Sequence, residues 1–144
     1  NHLFPMGVDA ILEAVDLVRD GTALRLNQDP AQGSYEGWCQ RTDVEIDWAQ
    51  SMDVVYNLIR GANPQPGAWT TLNGHTVTIL DSKKAIRFAN IEPGSVAEVD
   101  TDGVSIGCMD GAVRVEKFKP EGAGKMSAKE FLEHYRIEPG AQFG

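Results

Sequence analysis

The sequence predicts an α+β fold: a small antiparallel barrel or sandwich of five or six short strands, preceded by a helix, a linker and a short helix, and closed by a C-terminal helix. Three observations predict it. Apolar residues repeat at helical spacing near the start, around residue 55 and around residue 131; the repeat shortens to two beyond Gly67; and the pairs Asn73-Gly74, Pro93-Gly94, Asp102-Gly103 and Asp110-Gly111 punctuate the second half as tight turns. A length of 144 residues accommodates one domain, or one small domain with a lead-in, so by itself the sequence is not expected to hold a large multi-domain enzyme. At 42% apolar and 24% charged residues, the composition is that of a soluble globular protein with a packed core.

Val8, Ile11, Leu12, Val15 and Val18 follow Pro5 at helical spacing, and Gly21 is placed to stop the helix. Asp9, Glu13, Asp16 and Asp20 fall mainly on the opposite side, as a solvated face would. Leu24-Arg25-Leu26 reads as a brief extended piece, and turn residues at Asn27-Gln28-Asp29-Pro30 and Gln32-Gly33-Ser34 begin a linker. Within it Tyr35, Trp38, Ile46 and Trp48 are too large and apolar to be left in water on a free tether, so they are expected to dock on a partner surface. Ser51 suits an N-cap for a short helix to Arg60, with Met52, Val55, Tyr56 and Ile59 on one face, Gly61 as its stop and Pro64-Gln65-Pro66-Gly67 as a break.

Ala68 to Leu72, the turn Asn73-Gly74, and Val77 with Ile79 then form a hairpin. Ile86-Arg87-Phe88, Val96 to Val99, Val104 to Cys108, and the run through Val113, Val115 and Phe118 supply the remaining strands. Ser127-Ala128-Lys129-Glu130 is a capping box that opens a last helix with Phe131, Leu132 and Tyr135 on its apolar side, ended by Pro139-Gly140.

Charge narrows the function. The formal net charge is −8. Residues 1–67 carry −6 of it and residues 68–144 carry −2. Nucleic acid is bound largely by neutralising phosphates, so this balance disfavours it. Seven basic residues, Lys83, Lys84, Arg87, Arg114, Lys117, Lys119 and Lys125, nevertheless gather in the strand region with Phe88 and Phe118 between them. A basic barrel face with aromatics is one way to bind single strands; solvent-facing strand positions that happen to be Lys and Arg are the plainer reading.

Catalytic templates are absent: there is no GxSxG, HExxH, GxxxxGK[ST] or GxGxxG. Asp100 with Asp102, and Asp43, Glu45 and Asp47, are carboxylate groups that read as solvated charges in turns and linker. Cys39 and Cys108 lie far apart and read as free thiols of a reducing cytoplasm. With His2, His75 and His134 they form no metal pattern. The longest uncharged stretch, Gly61 to Leu80, contains Pro64, Pro66 and several glycines and is no membrane span.

Ile46-Asp47-Trp48 and the run Tyr56-Asn57-Leu58-Ile59-Arg60-Gly61-Ala62-Asn63-Pro64-Gln65-Pro66-Gly67-Ala68-Trp69 resemble the C-terminal part of folate-dependent formyltransferases. Gly124-Lys125-Met126-Ser127-Ala128 with Phe131-Leu132 extends the resemblance late into the barrel, and Leu3-Phe4-Pro5 with the helix to Gly21 looks like the last helix of that family's catalytic domain. Tyr35-Glu36-Gly37 and Ile59-Arg60-Gly61 look closer to the hydrolase domain of 10-formyltetrahydrofolate dehydrogenase than to methionyl-tRNA formyltransferase.

The resemblance implies a layout. Residues 1–26 would end a Rossmann-like catalytic domain, 27–50 would be a docked interdomain linker, and 51–144 would be an OB-like C-terminal barrel. The opening residues look like a chain entered midway, so the catalytic Asn, His and Asp would precede Asn1. No catalytic or metal-binding residue is assigned here, and the segment alone is expected to be inactive. The formyl donor, 10-formyltetrahydrofolate, would be bound by the upstream domain. The acidic balance points to water or a small-molecule acceptor for the formyl group; a tRNA-binding domain of a methionyl-tRNA formyltransferase, or a non-catalytic OB-like binding or packing module, are the alternatives. Tyr35 in the linker, with Arg60 and Asn63 at the junction of the second helix and the barrel, are the candidate substrate-binding or interdomain contacts.

Overall fold

A computed structural model describes residues 2–85 and 91–144. The chain divides into two units, Asn1–Gly37 and Trp38–Gly144.

In the first unit, helix α1 spans Leu3–Arg19. It begins before Pro5, which sits in the first turn where a missing N–H breaks no helical bond. At the other end Gly21 adopts φ +71°, its amide bonds the Val18 carbonyl at 3.2 Å, and the Thr22 amide bonds Leu17 at 3.0 Å, a Schellman stop. None of its residues is buried. The Leu24-Arg25-Leu26 stretch forms no strand, and the segment continues through a 3₁₀ turn at Pro30–Gln32 capped by Asp29.

The second unit contains a 3₁₀ turn at Arg41–Val44, helix α2 (Met52–Ala62), strands β1 (Trp69–Leu72), β2 (His75–Ala85), β3 (Val96–Asp100), β4 (Gly103–Cys108), β5 (Gly111–Pro120) and β6 (Met126–Ser127), and helix α3 (Ala128–Tyr135). All strand pairs are antiparallel, in the order β1-β2-β5-β4-β3 with β6 on β5. The α+β class therefore stands, with six strands among the described residues. The sheet path is open, and single bridges from Phe143 to Leu72 and from Gln142 to Ser95 span its two ends.

The Asn73-Gly74 hairpin forms with both residues at positive φ, +52° and +79°, the geometry of a two-residue turn matched to strand twist. α2 is capped by Ser51, as its sequence predicts, but does not stop at Gly61. It runs to Ala62, and Asn63 leaves the helix in extended conformation because it precedes Pro64, whose ring disfavours helical geometry in the residue before it. α3 opens on the predicted Ser127/Glu130 capping box. It ends at Tyr135 rather than at Pro139-Gly140, since Arg136 takes the left-handed conformation and its amide closes on the Leu132 carbonyl at 3.0 Å. The anticipated strand at Ile86-Arg87-Phe88 lies outside the described residues.

One core joins these elements. Val55 and Ile59 of α2 and Phe131 of α3 pack with Val77, Ile79, Ile106, Val113, Val115 and Phe118. Phe118 and Phe131 stack at 4.0 Å and 7°, which fixes α3 to β5. From the segment before α2, Val44, Ile46 and Trp48 enter the same core.

Candidate functional site

The strand region holds most of the basic side chains, and their register decides what they can bind. β2 and β5 place Asp81 opposite Lys117 and Lys83 opposite Arg114. Lys117 Nζ lies 2.9 Å from Asp81, Lys83 Nζ lies 2.6 Å from Glu116, and Lys84 Nζ lies 2.6 Å from Asp53 of α2. Arg114 reaches across β4 to Asp100, with Glu98 at 3.9 Å. Gly103 makes that crossing possible, since a side chain there would approach Arg114 Nε to 2.8 Å. Hydrogen bonding from Arg114, then from the Asp102 amide, holds the Asp100 carboxyl below its ordinary value, and Asp81 raises the Lys117 ammonium. These four cations therefore face carboxylates of the same unit. Arg87 and Phe88 lie outside the described residues.

Lys83, Thr101, Asp102, Arg114, Glu116 and Ser127 line an open cleft of about 510 Å³. Its positive groups are already matched by negative ones, so it offers a phosphate little net attraction. Ser127 at the α3 N-terminus is occupied as well: its amide and hydroxyl donate to Glu130 at 2.7 and 2.8 Å, which lowers the Glu130 carboxyl.

A second cluster lies on α2 and β2. The Arg60 guanidinium and the Lys84 ammonium both lie over the Tyr56 ring, at 6.0 and 5.2 Å from its centre. Arg60 Nε donates to Asn57 Oδ1 at 2.8 Å and has no carboxylate partner among the described residues. Asn63 is exposed at the helix exit, where its Nδ2 donates to the Leu80 carbonyl at 2.8 Å. The fold thus places Arg60 and Asn63 at one end of α2, with Asn63 tying that end to β2. Tyr35 belongs to the first unit and is 95% exposed. The large apolar residues of segment 27–50 divide: Ile46 and Trp48 are buried in the second unit, whereas Trp38 is 92% exposed.

In the first unit Leu3, Phe4, Val8, Ile11, Val15 and Val18 form a continuous exposed apolar stripe along α1. A patch of that kind marks an interaction surface. Elsewhere, Cys108 is buried and burial pushes its thiol up to about 12, so it is not a nucleophile. No group of three or more His, Cys, Asp or Glu among the described residues could hold a metal ion, and no described helix is long and apolar enough to cross a membrane.

The pairing of the cations was not readable from sequence, because it depends on cross-strand register and on the reach of Arg114 over Gly103. The stripe on α1 was readable from its period.

Comparison with known proteins places residues 39–136 in a family described as the formyl transferase C-terminal domain. A methionyl-tRNA formyltransferase of Geobacter metallireducens is 37% identical over all 144 residues, which span 46% of that protein. The mitochondrial 10-formyltetrahydrofolate dehydrogenase of Homo sapiens is 41% identical over 97 residues, covering 67% of this chain and 10% of that protein. Among solved structures, HypX from Aquifex aeolicus in complex with tetrahydrofolic acid shares the fold at a TM-score of 0.65 and 22% identity, over 87% of this chain and 22% of that one. The chain thus spans just under half the length of the methionyl-tRNA formyltransferases that it matches end to end.

Proposed function

We propose a function from the fact that this chain belongs to the formyl transferase family, as its C-terminal domain: it is the back part of an enzyme that moves or hydrolyses the formyl group of 10-formyltetrahydrofolate, with water or a small molecule as acceptor. The observation that carries the choice of acceptor is the internal pairing of Lys83, Lys84, Arg114 and Lys117 with Glu116, Asp53, Asp100 and Asp81. Cations held by carboxylates of their own unit are poor counterions for a phosphate backbone. The overall charge of −8 acts in the same direction.

The formyl donor carries a flat pterin and glutamate carboxylates. Among the described residues the cleft beside Arg114 has no aromatic wall and its cations are matched, so these residues do not fit the donor. Donor binding and the catalytic Asn, His and Asp are assigned to an upstream Rossmann-like domain in the cytoplasm. Residues 1–26 are read as the end of that domain, 27–50 as linker and 51–144 as the appended domain. In this reading the α1 stripe packs against the upstream domain, Tyr35 and Arg60 contact that domain or the acceptor, and Asn63 sets the angle at which α2 leaves for the hairpin.

A second reading, tRNA as acceptor, is favoured by several relatives, which are methionyl-tRNA formyltransferases. An activity assay separates the readings. The 144-residue chain alone is expected to release no formate from 10-formyltetrahydrofolate, and a protein extended upstream is expected to turn the donor over without tRNA. Turnover by the isolated chain would refute the assignment of catalysis to the upstream domain. Turnover by the extended protein only when tRNA is added would refute the small acceptor.

A further inference from the structure

The sheet path ends at β1 on one side and β3 on the other, and residues Gly140–Gly144 lie across both ends. The Gly140 amide donates to the Val96 carbonyl and the Val96 amide to that of Ala141, both at 2.8 Å. The Phe143 amide donates to Gly94 at 2.9 Å, and the Gly144 amide reaches Thr71 of β1 at 3.1 Å. Gln142 adds a side-chain bond from Nε2 to the Pro93 carbonyl at 2.8 Å. Gly94, at φ +79°, is required for this approach: a Cβ there would come within 2.2 Å of the Phe143 carbonyl oxygen.

Phe143 is the anchor of the segment. It is 1% exposed, and its ring meets Trp48 edge-on at 6.4 Å. Trp48 in turn belongs to the segment that leads into α2 and is held by β1: the Ile46 amide donates to the Trp69 carbonyl at 2.8 Å and Trp48 Nε1 to Thr70 Oγ1 at 3.0 Å. The segment 44–48 is therefore gripped by β1 and by Phe143.

We infer that Gly140–Gly144 is a detachable strap that closes the open sheet into a ring, and that its release loosens segment 44–48 while the β2-β5-β4 ladders persist. A few edge hydrogen bonds and one buried ring hold it, whereas each of those ladders is a longer strand pair through the core, that of β2 and β5 with an irregularity around Asp81. Elements tied down so locally open at lower free energy than the core. Open, the strap frees the Thr71 carbonyl of β1 and the Val96 amide and carbonyl of β3.

Native-state hydrogen exchange on the intact chain tests this. The amides of Val96, Phe143 and Gly144 should exchange through a shared opening that is less protected, and less dependent on denaturant, than the β4-β5 ladder. Phe143→Ala should accelerate those amides and the Ile46 amide about 100-fold with the ladder unchanged. Exchange of the strap amides only through global unfolding would overturn the inference, as would an Ile46 amide that does not respond to Phe143→Ala. If Phe143→Ala does not fold, the exchange pattern of the unmodified chain decides between a separate strap opening and global unfolding.

Discussion

α1 and α2 are both amphipathic helices with a capping or stop motif, yet one buries nothing and the other builds a core. α1 is the longer, 17 residues against 11, and all of its apolar stripe is exposed. α2 buries Met52, Val55, Ile59 and Ala62 and is tied to the sheet at both ends. At its N-terminus Asp110, from the β4-β5 turn, accepts the Met52 amide at 2.7 Å alongside the Ser51 cap, and at its C-terminus Asn63 bonds Leu80. Period tells where a helix is amphipathic; it does not tell what covers the apolar side. In α2 the chain itself supplies the cover; for α1 the proposed cover is the upstream domain.

The largest effect that sharpens this contrast comes from the core under α3. Phe118→Ala removes the ring stacked on Phe131 and should cost about 3–5 kcal/mol in urea unfolding of the second unit. A cost near zero would mean that α3 is not fixed by that stack. Next is Asp110→Ala, which leaves the Met52 amide without its acceptor. About 1 kcal/mol is expected by the same measurement, with α2 still folded by circular dichroism.

A smaller effect depends on acidity. Asp100 is held below its ordinary carboxyl value of 3.8, so the stability it contributes is fully present above that value and is lost as pH falls below it through the folded value. The melting temperature of Asp100→Asn should lie below that of the parent chain at neutral pH, and the gap should narrow as pH is lowered past about 4. A gap that widens in acid would contradict the pairing with Arg114. The smallest effect is on α1. Ile11→Asp should leave unfolding of the second unit unchanged within about 0.5 kcal/mol, because the residue is exposed. In a protein extended upstream the same change should lower the melting temperature. If it does not, the stripe is not the surface on which the upstream domain packs.

How much of this could be read in advance follows from how local each signal is. The Asn73-Gly74 hairpin, the Ser51 cap and the Ser127/Glu130 box are written within four residues, and each forms as read. The end of α2 was misplaced because a glycine is a stop only where the backbone turns left-handed; Gly61 stays helical and the proline after Asn63 sets the boundary. β6, the Asp110 cap and the strap were not legible, since each depends on a partner many residues away. Of the site, the gathering of cations was visible, but their neutralisation came only with register. Arg60 and Asn63 were placed together at the α2 exit, and the structure adds that Asn63 is engaged with Leu80 whereas Arg60 lies over Tyr56 with no carboxylate partner among the described residues.

The claim that Lys83, Lys84, Arg114 and Lys117 are held internally, leaving a small acceptor, is tested most directly by titrating tRNA into a protein extended upstream over a range of salt concentrations. Binding should be weak even at low salt, with a log K against log salt slope near zero. Tight binding whose slope corresponds to about four or more neutralised phosphates would contradict it and make tRNA the acceptor.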